Sequence, residues 1–109
     1  MINLAKFLKI ELFIPEEYVV KLANALNENS ILKYGNYDYV FTTSKVVGNF
    51  RPIEGANPNI GEIGVVSEVD EVKMEFRIVE EDLEEVKKIV ELIHPYEEPV
   101  VNIIKLVSW

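Results

Sequence analysis

No other stretch of this chain combines as much potential chemistry as one six-residue run, His94-Pro95-Tyr96-Glu97-Glu98-Pro99. It holds the single histidine, an aromatic hydroxyl and two carboxylates between prolines. Imidazole with carboxylates is a donor set for a divalent cation, copper or zinc, so His94, Glu97 and Glu98 are the candidate metal ligands. The structural alternative for His94 is a helix C-cap, its ring bonding terminal carbonyls or a neighbouring carboxylate. A single histidine makes no tight site alone; a three-fold axis would be needed to gather three of them. Glu97 and Glu98 are adjacent and point opposite ways on an extended chain, so they cannot serve each other as an acid/base pair. Tyr96, pinned between prolines, reads as a packing or interface residue.

The second candidate is the glycine-rich run from Gly55 to Gly64, with Asn57, Pro58 and Gly61 inside it. Such backbone can present N–H groups to an anion. It is no P-loop, because it lacks the Gly-Lys-Ser/Thr ending and leads into no helix. Asn-Pro and Gly are also ordinary turn residues. Ser44, Ser67 and Ser108 have no Gly-x-Ser-x-Gly context, which argues against a serine hydrolase. We assign no catalytic residue.

The elements that must position these residues are legible in the hydrophobic pattern. Residues 4–14 alternate as a strand, with Leu8, Ile10, Leu12 and Ile14 on one face and Phe7 and Phe13 on the other. Pro15-Glu16-Glu17 opens a helix carrying Val19, Leu22, Ala23 and Leu26. Tyr37, Tyr39 and Phe41 alternate with Asp38, Val40 and Thr42 as a second strand, which residues 46–50 extend past a bend. Residues 51–67 form a long connection, and a connection this long in so small a domain usually serves function or assembly. Val72, Met74, Phe76 and Ile78 mark the third strand. Glu80-Glu81-Asp82 starts a second helix with Leu83, Val86, Val90 and Ile93 as its stripe, ended by Pro95. Residues 100–107 form the fourth strand. The order β-α-β-β-α-β predicts an α+β, ferredoxin-like fold, an antiparallel sheet with two helices on one face. The uncovered face mixes Lys9, Glu11, Lys73, Glu75 and Arg77 with Phe7 and Phe13, a pattern expected of subunit packing. Trp109 is expected to pack on the sheet or on a partner subunit.

Composition bounds the rest. The 109 residues make one domain, 1–109, with 49% hydrophobic and 28% charged residues. There is no cysteine, which excludes disulfides and thiol chemistry and fits a cytoplasmic protein. No apolar run is long enough to span a membrane, and Met1 to Lys9 has no signal-peptide character. The net charge of −8 argues against nucleic acid and anionic membrane as partners.

Two motifs together carry a resemblance. One is the His94–Pro99 run. The other is Gly35-Asn36-Tyr37, followed by Gly48-Asn49-Phe50-Arg51-Pro52 and Gly55-Ala56-Asn57-Pro58-Asn59-Ile60-Gly61-Glu62-Ile63-Gly64. With these the chain resembles, over nearly its whole length, the PII/CutA-like domain inserted into Nif-three-like dinuclear metal centre proteins, the GTP cyclohydrolase type-two homologues of the YqfO group. It resembles CutA more distantly, since CutA has the corner motif without the glycine-rich one. The resemblance implies a PII-like fold, a homo-oligomer that is a trimer, and a ligand or metal cleft. Tyr37, Asn57, Pro58, Gly61 and Tyr96 are the residues expected at that ligand site or interface. The larger family's metal-binding domain is not represented, so the resemblance implies a non-catalytic binding or regulatory module for a small ligand, a cation or a partner protein. The alternatives are a CutA-like copper or zinc binder and a detached subunit that docks on a Nif-three-like core protein.

Overall fold

The computed structural model describes residues 3–108; Trp109, for which a packing role is expected, lies outside them. Four strands and two helices alternate as β1 (Asn3–Ile14), α1 (Val19–Glu28), β2 (Thr42–Phe50), β3 (Ser67–Val79), α2 (Leu83–Ile93) and β4 (Val101–Ser108). All pairings are antiparallel and the sheet order is β2-β3-β1-β4. This is the ferredoxin-like arrangement that the pattern predicts.

Each helix is entered through one 3-10 turn, Glu16–Tyr18 and Glu80–Asp82, acidic in both cases. Carboxylates there face the positive end of the helix dipole. Pro15 stands just before the first turn, in extended conformation, rather than inside it. Leu22, Ala23 and Leu26 of α1 and Val86, Ile89 and Val90 of α2 are buried. They cover the even-numbered face of β1, Leu8 to Ile14, and that of β3, where Met74, Phe76 and Ile78 join the core. Period-two side chains meeting period-3.6 stripes is what makes this a two-layer core.

The second strand differs from its expectation. Tyr37 and Tyr39 are not in a strand; β2 begins at Thr42. Tyr34 and Tyr37 exchange backbone hydrogen bonds of 2.8 and 3.0 Å around Gly35, which closes a tight turn. Tyr39 then takes φ of +50°, which no strand residue adopts. Asn27 at the end of α1 holds it there, its Oδ1 accepting the Tyr39 N–H at 2.8 Å and its Nδ2 donating to Asp38 at 3.1 Å. Local polar bonds from the helix thus override an alternating pattern. β3 in turn reaches back to Ser67, longer than its apolar alternation suggests.

That extra length shapes the molecule. β1 pairs with β3 from Val72 onward, whereas β2 pairs with β3 from Ser67. Residues 67–71 of β3 and 46–50 of β2 therefore run past β1 as a two-stranded arm. The overall extents are 51 × 24 × 24 Å. The connection 51–66 closes this arm.

On the uncovered face, Glu75 takes Lys9 at 3.2 Å and Lys73 at 3.3 Å. The bond from Lys9 and the charge of Lys73 hold its carboxyl below the usual carboxylate range. Arg77 lies over the rings of Phe7 and Tyr34.

Candidate functional site

α2 ends where its sequence demands. His94 leaves the helix in extended conformation, φ −64° and ψ 130°, as the residue before a proline must. Its N–H still bonds Val90 O at 2.8 Å. The side chain is buried, 7% exposed, and its ring is shared by two backbone groups. Nε2 lies 2.6 Å from the Phe13 carbonyl of β1, and the Tyr96 N–H donates to Nδ1 at 3.2 Å. A carbonyl only accepts and an amide only donates, so the ring is neutral with its proton on Nε2. Burial, offset in part by the Phe13 bond, pushes the His94 pKa down, which favours the neutral ring. The histidine is a clasp that ties the helix end, the corner and β1 together.

This use does not fit a preformed metal site. A cation would need the Nδ1 lone pair that receives the Tyr96 amide, or the Nε2 position that carries the proton. Among the described residues no group of three or more His, Asp or Glu side chains is placed to hold a metal ion.

The ring of Tyr96 packs against His94, centroids 4.8 Å apart. From there the corner faces the arm. The connection 51–66 folds back onto the corner, and the Asn57 N–H donates to Glu97 Oε1 at 3.1 Å across 40 positions of chain. Between the two lies a cavity of about 480 Å³, within the range of small-molecule sites. Phe13, Gly48, Phe50, Val69 and Glu71 bound it on the sheet's uncovered face; Pro52, Ala56, Pro58 and Ile60 bound it on the connection; Tyr96, Glu97 and Glu98 bound it on the corner.

Glycine has specific work at two positions here. At Gly48 an added Cβ would collide with Glu71 Oε1, so the carboxylate lies directly over the missing side chain. Gly61, φ +90°, brings its backbone against the Phe50 ring, and an added Cβ would meet that ring at 3.1 Å and Ser67 Oγ at 3.2 Å. It thereby backs a residue of the cavity wall.

The Tyr96 hydroxyl is buried without a hydrogen-bond partner of good geometry. The Glu71 carboxylate is its neighbouring acceptor. Burial first, and that carboxylate second, hold the phenol far above its ordinary range, so it is a neutral donor at every physiological pH.

Of the residues expected at the ligand site or interface, Tyr96 and Pro58 line this cavity, as do Glu97 and Glu98, two of the candidate metal ligands. Asn57 and Gly61 support its walls without lining it. Tyr37, 74% exposed in its turn, does not line it, and neither does His94. Phe13, Phe50 and Glu71 are cavity residues that the motifs did not single out for a site. For Glu71 the sequence offers no signal, since it stands in an acidic stretch, Glu68-Val69-Asp70-Glu71, and only strand register turns it inward.

The pairing of a glycine-rich connection with this corner can now be set beside known proteins. No family model matches the chain. A Staphylococcus epidermidis protein named GTP cyclohydrolase 1 type 2 homolog is 39% identical over 104 residues, which are 95% of this chain and 28% of that protein. The chain is similar to one segment of the GTP cyclohydrolase 1 type 2 homologues. It spans little more than a quarter of their length. The crystal structure of a Bacillus cereus protein related to NIF3 superposes with a TM-score of 0.81 at 26% identity, over 95% of this chain and 27% of that one. A PII-like protein CutA from Nostoc superposes with a TM-score of 0.66 at 20% identity, over 93% of this chain and 80% of that one. The last likeness is one of fold alone: the two chains share the ferredoxin-like α+β arrangement.

Proposed function

We propose that this domain is a non-catalytic binding module whose site is the cavity between connection 51–66 and the His94–Pro99 corner. The observation that carries the reading is the meeting of the two motifs, which lie apart in sequence and close one pocket together. The corner is braced from behind by His94 and the connection by Gly61, so the walls are built rather than incidental.

The test is titration of the isotope-labelled chain with mixtures of small fragments, read in amide spectra. We expect saturable shifts at the lining residues, lost when Ala56→Phe fills the cavity. Absence of any saturable shift there would reject the reading.

We extend the proposal to assembly. PII- and CutA-like architecture supports a homo-oligomer, which we take to be a trimer in the cytoplasm. Light scattering in EDTA checks this, because a monomer would refute it. The length of the relatives supports a second contact, with a Nif-three-like core region, which co-purification of the two would test. A copper or zinc role for His94, Glu97 and Glu98 finds less support, since His94 would first have to release the Tyr96 amide.

A further inference from the structure

Resting on the binding reading above, we propose that the cavity selects an organic cation, a flat apolar body bearing an amidinium or ammonium group. Three carboxylates, Glu71, Glu97 and Glu98, stand in the lining against one cation, Arg51. Their placement differs in a way that matters. Glu97 already receives the Asn57 amide and Glu98 is exposed, whereas Glu71 is half-buried on the sheet, over Gly48. A half-buried carboxylate draws a cation more strongly than an exposed one, because less water screens it. Beside it sits the buried Tyr96 hydroxyl, for which Glu71 is the neighbouring acceptor.

An amidinium presents several N–H donors in one plane, which suits the two oxygens of a carboxylate. An anion finds the opposite arrangement, with Glu71 where its charge would lie. The remaining wall is aromatic and aliphatic, from Phe13, Phe50, Pro52 and Val69. Such a wall takes a flat apolar body and adds cation–π attraction from the rings. The glycine at position 48 belongs to the same design, since any side chain there would push Glu71 out of place.

The experiment titrates the 109-residue chain with benzamidine, benzoate and benzyl alcohol, which share a ring and differ in charge. Amide shifts at Gly48, Phe50, Glu71 and Tyr96 are the readout. We expect benzamidine to saturate these shifts and to bind at least about tenfold more tightly than benzoate, a ratio that corresponds to ~1.4 kcal/mol. Glu71→Gln should weaken benzamidine by a similar factor, and Arg51→Gln, at an exposed position, should tighten it. Equal or tighter binding of benzoate or benzyl alcohol at the same amides would overturn the cation selectivity and leave the binding reading standing. Saturation by none of the three would overturn both. Unchanged benzamidine affinity in Glu71→Gln, with its amide spectrum still dispersed, would overturn the assignment of Glu71, as would weaker binding in Arg51→Gln.

Discussion

The Asn57 amide and the Glu97 carboxylate, 40 positions apart, form the hydrogen bond that draws the glycine-rich connection onto the corner. The contact is exposed, so it is worth little in stability, about 0.5–1.5 kcal/mol at most. Its effect should be on where the connection sits. Glu97→Ala should speed exchange of the Asn57 amide while shifting the melting temperature by only a few degrees. Glu97→Gln keeps an oxygen acceptor and should restore protection. Equal exchange in both variants would mean that the bond does not hold the connection.

Gly61 and Gly55 both have positive φ, +90° and +98°, but differ in their surroundings. An alanine at 55 meets open space, whereas one at 61 meets Phe50 and Ser67. Backbone strain of about 1–2 kcal/mol applies to each. We expect Gly61→Ala to lose more in urea denaturation than Gly55→Ala, and to shift the Phe50 ring resonances as well. A matching loss in the two variants would remove the packing role assigned to Gly61.

His94 makes stability depend on pH with a definite sign. Its folded pKa lies below the ordinary value of 6.5, chiefly because burial disfavours the charged ring. The unfolded chain therefore binds the proton more readily. The contribution is complete above pH 6.5 and is lost as pH falls below it, through the folded pKa. Melting temperature should thus drop between about pH 7 and pH 5, and His94→Gln should flatten that portion of the curve. The same variant should be less stable at pH 8, since the Phe13 carbonyl and Tyr96 amide lose their partner, at about 1–3 kcal/mol for each group left unpaired.

Two leucines one helix apart separate core from surface. Leu26 is fully buried and Leu92 is 84% exposed. Leu26→Ala should cost about 2–5 kcal/mol in chemical denaturation, the usual loss for a buried leucine. Leu92→Ala should stay within about 0.5 kcal/mol of the parent, as surface changes do. A substantial loss at Leu92 would show that α2 is covered by another chain in solution, and concentration dependence of the melting temperature would confirm the cover.

Much of this molecule was written in periodicity. The alternation of Leu8, Ile10, Leu12 and Ile14 against the stripe of Val86, Val90 and Ile93 specifies a sheet covered by helices on one side, because burial has only those two periods to use. The stop at His94-Pro95 is equally local, since proline cannot continue a helix. Tyr37 and Tyr39 misled because alternation is a weak signal when a side chain from another element, Asn27, can bond the backbone directly. The sequence alone also singled out the glycine-rich run and the corner, but not that they meet. That depends on a β2-β3 arm longer than its apolar pattern, which carries the connection outward and lets it fold back onto residues 94–99. Nor could Glu71 be told from Glu68 or Asp70 by type; antiparallel register opposite Val46 put it on the uncovered face, over Gly48. Residue types made a binding corner conceivable, and tertiary register decided which carboxylate and which rings enclose its cavity.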